Sequence, residues 1–184
     1  HGKHLQDPVT GLFRHGWDAG DDRYFGPHFW ARGNGWVMVA MVEALRGAPA
    51  NAVDTQDLLA QLHAQQRGLV ALQDEMGLWP TIVDRPDFYR EASGSALIGY
   101  GLRRAAAGGW LDARIAPDAG RAVQTGIWHL VDADGRVTGV SAPTGPMATQ
   151  VEYAAIPNTE SQLYGQGAGL LLFAPFLSEW SVRE

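Results

Sequence analysis

The sequence predicts an all-α domain, and three observations lead to that prediction. Apolar residues recur at intervals of three and four in four separate segments, which is the spacing of one buried helix face. A fifth segment near the C-terminus is almost continuously apolar, which is typical of a helix buried on all sides. The alternation of apolar and polar residues that is typical of a strand occurs only in short stretches. The 184 residues, 46% of them hydrophobic, suffice for one core, and no Pro-, Gly- or Ser-rich linker divides the chain.

The first part of the chain is predicted to hold irregular structure followed by one long helix. His1 to Gln6 looks like the end of a helix already under way, so we expect sequence upstream of His1. A turn, an extended or looped stretch and a polar loop then follow, at residues 7–11, 12–18 and 21–27. Asn34 is the predicted N-cap of a helix over residues 36–46, which Gly47 and Pro49 end.

Four further elements are predicted after this helix. A second helix begins at about Asp54, and Ser93 caps a third, which Gly108 and Gly109 close. Pro117 suits the first turn of a fourth helix. A short hairpin is expected within residues 137–151, and the apolar helix is predicted over residues 165–176. The glycines at 165–169 lack dinucleotide-binding spacing and predict close helix packing instead.

Charge and composition exclude several classes of protein. The net charge is -6, and Lys3 is the only lysine among 14 basic residues, so no basic stripe is available for nucleic acid. No apolar run approaches the length of a membrane span. The absence of cysteine excludes disulfides, thiolate chemistry and cysteine-based zinc sites, and it is consistent with a cytoplasmic protein. His63 and His129 have no second ligand at metal spacing, so we predict no metal site.

The densest chemical signal is the segment Phe29-Trp-Ala-Arg-Gly-Asn-Gly-Trp36. Tryptophan faces stack on sugar rings, and an arginine such as Arg32 binds a carboxylate through two parallel hydrogen bonds. A helix that begins here would add its positive N-terminal end. The alternative is that Trp30 and Trp36 are core residues and Asn34 only a cap. We favour a ligand site for an anionic sugar.

A second cluster, Phe13-Arg-His-Gly-Trp-Asp18, lies just before this segment. His15 could donate a hydrogen bond or carry a proton, and Asp18 could act as an acid or base. Both residue types are also common in structural roles in loops, so this cluster alone predicts little. Tyr153 and Gln166 are further candidates that could reach the site from the C-terminal part of the chain.

The two clusters together resemble glycoside hydrolase family 105, the unsaturated rhamnogalacturonyl hydrolases, which is related to the bacterial unsaturated glucuronyl hydrolases of family 88. The stretch Glu91-Ala-Ser-Gly-Ser-Ala96 is similar to a helix start of the family. The resemblance implies an (α/α)6 barrel of six helical hairpins. Residues 1–184 would form the C-terminal part of this single domain, about half of the barrel.

The resemblance also implies an activity. A carboxylic acid protonates the enol-ether double bond of a 4,5-unsaturated uronic acid at the non-reducing end, and water adds to the adjacent carbon. The resulting hemiketal breaks down and frees the sugar, as in pectin degradation. No metal or organic cofactor is needed. His15, Trp30, Arg32 and Trp36 match pocket positions, and Asn34 matches the motif.

The family's general acid, an aspartate, lies upstream of the segment that this sequence matches, so the resemblance assigns no catalytic residue here. Asp18 is the nearest local carboxylate, but the resemblance gives it no such role. Two alternatives remain open: a sugar-binding remnant without catalysis, and another (α/α)6 enzyme such as an epimerase, which needs two histidines across the pocket. The expected partners are the oligosaccharide and either a second copy of the chain or an N-terminal half, with no nucleic acid and no membrane.

Overall fold

The computed structural model describes residues 2–49, 55–116, 118–158 and 161–175. This part of the chain is mainly helical, which confirms the predicted all-α class. The elements, in chain order, are α1 (Gly2–Leu5), β1 (Gly16–Asp18), β2 (Arg23–Gly26), α2 (Ala31–Gly47), α3 (Thr55–Val70), α4 (Ala92–Gly108), α5 (Ala119–Trp128), α6 (Gln150–Ala154) and α7 (Leu163–Phe173). The helix positions predicted for Asp54, Pro117 and Phe176 lie outside the described residues.

Helices α2, α4 and α7 lie side by side and run in the same direction. Gly94, near the start of α4, packs against Arg32 at the start of α2, and Gly101 packs against Met38 further along. Ser141 links the start of α7 to that of α4, since it accepts from the Tyr164 hydroxyl and donates to Glu91. Leu172 packs against Gly99 in the middle of α4. The N-terminal ends of three helices therefore meet at one end of the molecule.

Helices α3 and α5 return in the opposite direction. Gln65, late in α3, donates to the backbone oxygen of Asn34, which lies early in α2. Gly120, early in α5, packs against Arg103, which lies late in α4. Three parallel helices with two antiparallel returning helices make the hairpin pattern that the sequence predicted.

Close packing of α2 and α4 depends on small residues. A Cβ atom at Gly35 would lie 2.7 Å from the Cβ atom of Leu97, so a larger residue would push the two helices apart. Gly165 and Gly169 are points of close packing, but they pack against Val140 and Val137 of the loop that precedes α6 rather than against another helix. These contacts fix the position of the loop that precedes α6.

The predicted N-cap at Asn34 is wrong. Helix α2 begins at Ala31, and Trp30 occupies the cap position without a side-chain hydrogen bond. The Asn34 side chain instead accepts from the N–H of Phe13 (2.8 Å) and donates to the Phe13 carbonyl (2.9 Å). A tertiary partner takes the amide that would otherwise have capped the helix, and the helix extends one turn further back.

Ser93 is likewise not the cap of α4. The buried carboxylate of Glu91 accepts from the backbone N–H groups of Ser93 and Gly94, and the Ser93 hydroxyl donates to it (2.8 Å). An ionised carboxylate at a helix N-terminus satisfies more free donors than a hydroxyl can and also matches the helix dipole. Glu91 therefore sets where α4 begins.

The short hairpin forms at a different place from the one predicted. Residues 137–151 contain only one isolated bridge, Val137 to Val131, and helix α6 starts at Gln150. A hairpin forms instead between β1 and β2, in the stretch predicted as an extended segment and a polar loop. The Asp18 carboxylate makes its turn by accepting from the N–H groups of Gly20 and Asp21.

Helix α7 forms as predicted but is buried on one side only. Gly165, Ala168, Gly169 and Leu172 face the core, whereas the exposed fractions of Leu163 and Leu170 are 91% and 67%. The expected burial on all sides is wrong for these described residues, because no described element packs against that face. Among the described residues, no helix is both long and apolar enough to cross a membrane.

Candidate functional site

An open cavity of about 320 Å³ lies where the N-terminal ends of α2 and α7 meet the loop that precedes α6. Its walls come from residues far apart in the sequence: Trp30, Arg32, Trp36, Pro143, Thr144 and Tyr164. Three of the five residues predicted to bind substrate thus line one cavity.

Arg32 is the central charged group of this cavity. Its side chain is buried, with an exposed fraction of 4%. The guanidinium lies between two aromatic rings, 4.8 Å from the centre of Trp30 and 4.5 Å from that of Tyr164. Aromatic faces stabilise a cation by their negative π-surface, and more strongly when water is excluded.

The guanidinium also holds the loop that precedes α6. It donates to the backbone oxygens of Ser141 and Ala142, both at 3.1 Å, and to the hydroxyls of Ser141 (2.9 Å) and Thr144 (3.2 Å). All these bonds use Nη1 and Nη2. Within the described part of the chain, Nε makes no hydrogen bond and remains available as a donor.

Among the described residues, no carboxylate forms an ion pair with Arg32. The buried carboxylate of Glu91 lies behind it and is joined to it only through Ser141, whose backbone N–H donates to Glu91 at 3.0 Å. A buried cation without a direct counter-ion is costly unless a partner neutralises it. The open side of Arg32 is therefore electrostatically suited to an anionic ligand.

His15 lies against the inner wall of the cavity. Its ring stacks on Trp30, with the ring centres 4.3 Å apart, and Nδ1 lies 2.7 Å from the Tyr153 hydroxyl. Burial, and then the charge of Arg32, lower the pKa of His15 to about 4. His15 is therefore neutral at pH 7. It can donate or accept hydrogen bonds there, but it lacks the imidazolium proton that a general acid would release.

The two tryptophans differ in exposure. Trp30 is buried in a small cluster with Ile82, Tyr153 and Ile156, and its Nε1 has no hydrogen-bond partner in the described structure. Trp36 has an exposed fraction of 49% and forms the outer wall of the cavity. Trp36 is therefore not a core residue. Trp30 belongs to a buried cluster and also lines the cavity, so the core alternative describes it only in part.

Asn34, Asp18 and Gln166 do not line the cavity. Asn34 is buried and joins α2 to the chain at Phe13, as described above, so its predicted contact with substrate stays a prediction without support from the cavity lining. The Asp18 carboxylate is used in the turn of the hairpin. Gln166 binds the backbone N–H and carbonyl of Val137.

No sequence motif indicated the opposite wall of the cavity. Pro143, Thr144 and Tyr164 lie in segments without a recognisable pattern, and Tyr164 is held there by donating to the Ser141 carbonyl at 2.5 Å. Tyr153, predicted to reach the site, does not line the cavity and contacts His15 behind its wall. No acidic side chain lines the cavity in the described part of the chain, and no cluster of metal-ligating side chains occurs there.

Comparisons with known proteins agree on one group. The family model described as Glycosyl Hydrolase Family 88 matches residues 1–178. The unsaturated rhamnogalacturonyl hydrolase YesR of Bacillus subtilis is 37% identical over 176 residues, covering 94% of this chain and 48% of that protein. The unsaturated 3S-rhamnoglycuronyl hydrolase of an Alteromonas species is 33% identical over 166 residues, covering 85% and 39%.

Solved structures extend the comparison. A possible member of family 105 from Klebsiella pneumoniae superposes with a TM-score of 0.91 at 30% identity, covering 98% of this chain and 47% of that one. The unsaturated glucuronyl hydrolase of Bacillus sp. GL1 gives 0.64 at 19% identity, covering 98% and 50%, which concerns the fold alone. These likenesses confirm the (α/α)6 barrel class, and the chain spans about half the length of the proteins it matches.

Proposed function

Since the chain belongs to glycosyl hydrolase family 88, we propose that it forms the substrate-holding part of an unsaturated uronyl hydrolase. The enzyme would release 4,5-unsaturated uronic acid from the non-reducing end of oligosaccharides that polysaccharide lyases leave. The names of the Bacillus subtilis and Alteromonas relatives support this substrate class. The epimerase alternative gains no support, because no histidine is among the described residues that line the cavity, and His15 reaches a cavity wall only by stacking on Trp30.

One observation carries the proposal: a buried arginine without a direct carboxylate partner opens into a cavity walled by aromatic rings. The carboxylate of an unsaturated uronic acid would face Arg32, where its charge replaces the missing counter-ion. The ring of the sugar would lie against the exposed face of Trp36. Neutral His15 would offer a hydrogen bond to a sugar hydroxyl.

The reaction needs a group that this cavity does not supply. A carboxylic acid transfers its proton to the enol-ether double bond, and the carboxylate left behind takes a proton from the water that adds to the adjacent carbon. The hemiketal then opens at its ring C–O bond, which gives a ketone and leaves a hemiacetal at the anomeric carbon. As this hemiacetal becomes an aldehyde, the glycosidic C–O bond breaks and the leaving oxygen takes up the hemiacetal proton. His15 is too weakly basic to be protonated at pH 7, so we assign the acid to a residue outside the described cavity walls.

The first experiment measures binding of an unsaturated rhamnogalacturonan disaccharide and of its neutral methyl ester by calorimetry. The acid should bind tighter than the ester by roughly tenfold to a hundredfold, because a charge-assisted hydrogen bond contributes about 1.5–3 kcal/mol. Arg32→Lys should reduce this preference, since a single ammonium group cannot hold the loop as Nη1 and Nη2 do and also replace Nε as a donor to the ligand.

Arg14→Lys is the matched control, because Arg14 pairs with Asp7 outside the cavity (2.6 Å) and should leave the preference unchanged. A variant that only loosened the fold would weaken binding of the acid and the ester alike. Equal affinity of the unmodified chain for the two ligands would overturn the assignment of Arg32.

A second candidate function, sugar binding without catalysis, is favoured by the absence of acidic side chains from the described cavity walls. The two candidates are separated by following loss of the double bond's ultraviolet absorbance, with the full-length Bacillus subtilis relative as the positive control. The chain alone should be inactive. Activity on adding the part of the Bacillus subtilis relative that this chain does not match would favour the hydrolase, and continued inactivity would favour the binding protein.

We also propose the source of the oligosaccharides, the compartment in which they are consumed and the partner that covers α7. The rhamnogalacturonyl name of the Bacillus subtilis relative supports pectin as the source of the oligosaccharides, in a bacterium. Short oligosaccharides that lyases have already cut would be consumed in the cytoplasm. Either a second copy of the chain or the other half of a barrel would cover the exposed face of α7.

A further inference from the structure

The hydroxyl of Tyr153 lies between two hydrogen-bonding groups, one that can only donate and one that can either donate or accept. On one side is the backbone N–H of Met147, which can only donate and does so to the hydroxyl oxygen at 3.0 Å. On the other is Nδ1 of His15, at 2.7 Å, which donates or accepts according to where the imidazole carries its hydrogen. Tyr153 itself is fully buried, so water cannot satisfy its hydroxyl.

Counting donors and acceptors decides between the two tautomers of His15. If Nδ1 carried the hydrogen, the hydroxyl would face two donors and its own hydrogen would have no acceptor. A buried donor without an acceptor is rare in proteins because it costs the full desolvation of the group. With the hydrogen on Nε2, the hydroxyl accepts from Met147 and donates to Nδ1, and all three groups are satisfied.

The other nitrogen of His15 is free for a ligand. Within the described residues Nε2 makes no hydrogen bond, and it is not among the fully buried unpaired atoms. Stacking on Trp30 holds the ring beside the cavity. The ring is also neutral at pH 7, because burial and the charge of Arg32 lower the pKa of His15 to about 4.

We propose that Tyr153 is a positioning residue that locks His15 in the Nε2–H tautomer and so makes it a fixed, neutral hydrogen-bond donor to the sugar. The donor would meet an acceptor oxygen of the ligand, a hydroxyl or the ring oxygen. Only this ligand contact rests on the proposed function. The tautomer follows from contacts within the chain.

Two-dimensional long-range proton–nitrogen NMR of the chain without ligand tests the tautomer at pH 7. The nitrogen shifts of His15, assigned by their loss in His15→Gln, should show only Nε2–H. Tyr153→Phe should add the Nδ1–H tautomer and move the Nδ1 signal. Tyr89→Phe is the matched control, because its hydroxyl bonds the Tyr153 carbonyl rather than His15. Nδ1–H as the main form of the unmodified chain would overturn the proposal.

A double-mutant cycle on binding of the unsaturated disaccharide tests the positioning role. Tyr153→Phe should weaken affinity roughly three- to tenfold, as expected for one hydrogen bond. In a His15→Gln background, whose amide can donate without help from Tyr153, the same change should have little effect. An equal loss in both backgrounds would mean that Tyr153 acts only through packing. If the chain binds no sugar but the NMR result holds, the proposed function fails and the tautomer assignment stands.

Discussion

At the scale of the residue, His15 shows how one pocket sets the chemistry of a side chain. The same burial that stacks its ring on Trp30 also disfavours its protonation, and the nearby guanidinium of Arg32 adds to this effect. A group that normally titrates near neutrality is thereby removed from acid–base chemistry around pH 7. What remains is its capacity for hydrogen bonding.

This lowered pKa has a consequence for stability. Between about pH 6.5 and pH 4 the unfolded chain binds a proton at His15 that the folded chain does not, so the free energy of unfolding should fall as the pH falls through that window. The loss should be roughly 1–2 kcal/mol, since His15 is only partly buried. Urea unfolding across this pH range measures it.

His15→Gln is the comparison, because glutamine does not titrate. Acidic groups with lowered pKa values, such as Asp7 and Glu43, contribute to acid unfolding of both proteins and cancel in the difference. Parallel stability curves for the two proteins between pH 4 and pH 6.5 would contradict the assigned environment of His15.

At the scale of the element, the start of α4 depends on one buried carboxylate. Glu91 accepts from the N–H groups of Ser93, Gly94 and Ser141, and so joins a helix N-terminus to the loop that Arg32 holds. The capping bonds to Ser93 and Gly94 are local, whereas the bond to Ser141, 50 residues away in the chain, could not be predicted from local sequence. A serine at a helix start is the commoner local signal, and it misled the sequence prediction here.

Replacing this carboxylate should be costly. In Glu91→Gln the amide NH₂ group would face backbone donors, so the free energy of unfolding should fall by about 2–4 kcal/mol, as for a buried group that loses charge-assisted bonds. Urea unfolding measures the change. Glu152→Gln is the control: it alters the exposed capping box of α6 and should change stability little. Similar changes in the two variants would show that Glu91 is not the stabilising cap.

The correct predictions of helix position and the incorrect predictions of helix caps depend on different features of the sequence. Helical periodicity located the five longer helices, since it reflects burial of one face and survives small errors at the ends. Asn34 failed as a cap because the distant residue Phe13 binds its side-chain amide, and Ser93 failed because the neighbouring carboxylate of Glu91 caps the helix instead. The hairpin at residues 16–26 is too short for an alternating pattern, and the wall at Pro143 and Thr144 carries no motif.

At the scale of the whole molecule, one face of α7 has no covering element among the described residues. Leu163 and Leu170 lie seven residues apart and therefore on the same side of the helix, with exposed fractions of 91% and 67%. Such a stripe favours association when it belongs to an incomplete barrel. We expect the isolated chain to self-associate through this face.

Sedimentation velocity over a range of concentrations tests this expectation. The double variant Leu163→Glu with Leu170→Glu should shift the chain toward the monomer, because burying two carboxylates in an interface is unfavourable. Val9→Glu is the control, since Val9 is equally exposed (91%) but lies in a turn away from α7. A chain that is monomeric at all concentrations, or one that Val9→Glu dissociates as well, would contradict the assigned surface.

The contacts that build the cavity join residues far apart in the sequence, and this affects when the cavity forms during folding. Arg32 meets Ser141 and Thr144 across 109 and 112 residues, and His15 meets Tyr153 across 138. Closing loops of this length is slow, because the entropy lost must be regained by contacts that form only after closure. During synthesis on the ribosome, helices α2 to α5 can form while the wall that completes the cavity is still unmade. The cavity should therefore be completed among the last events of folding, after most of the helical core is in place.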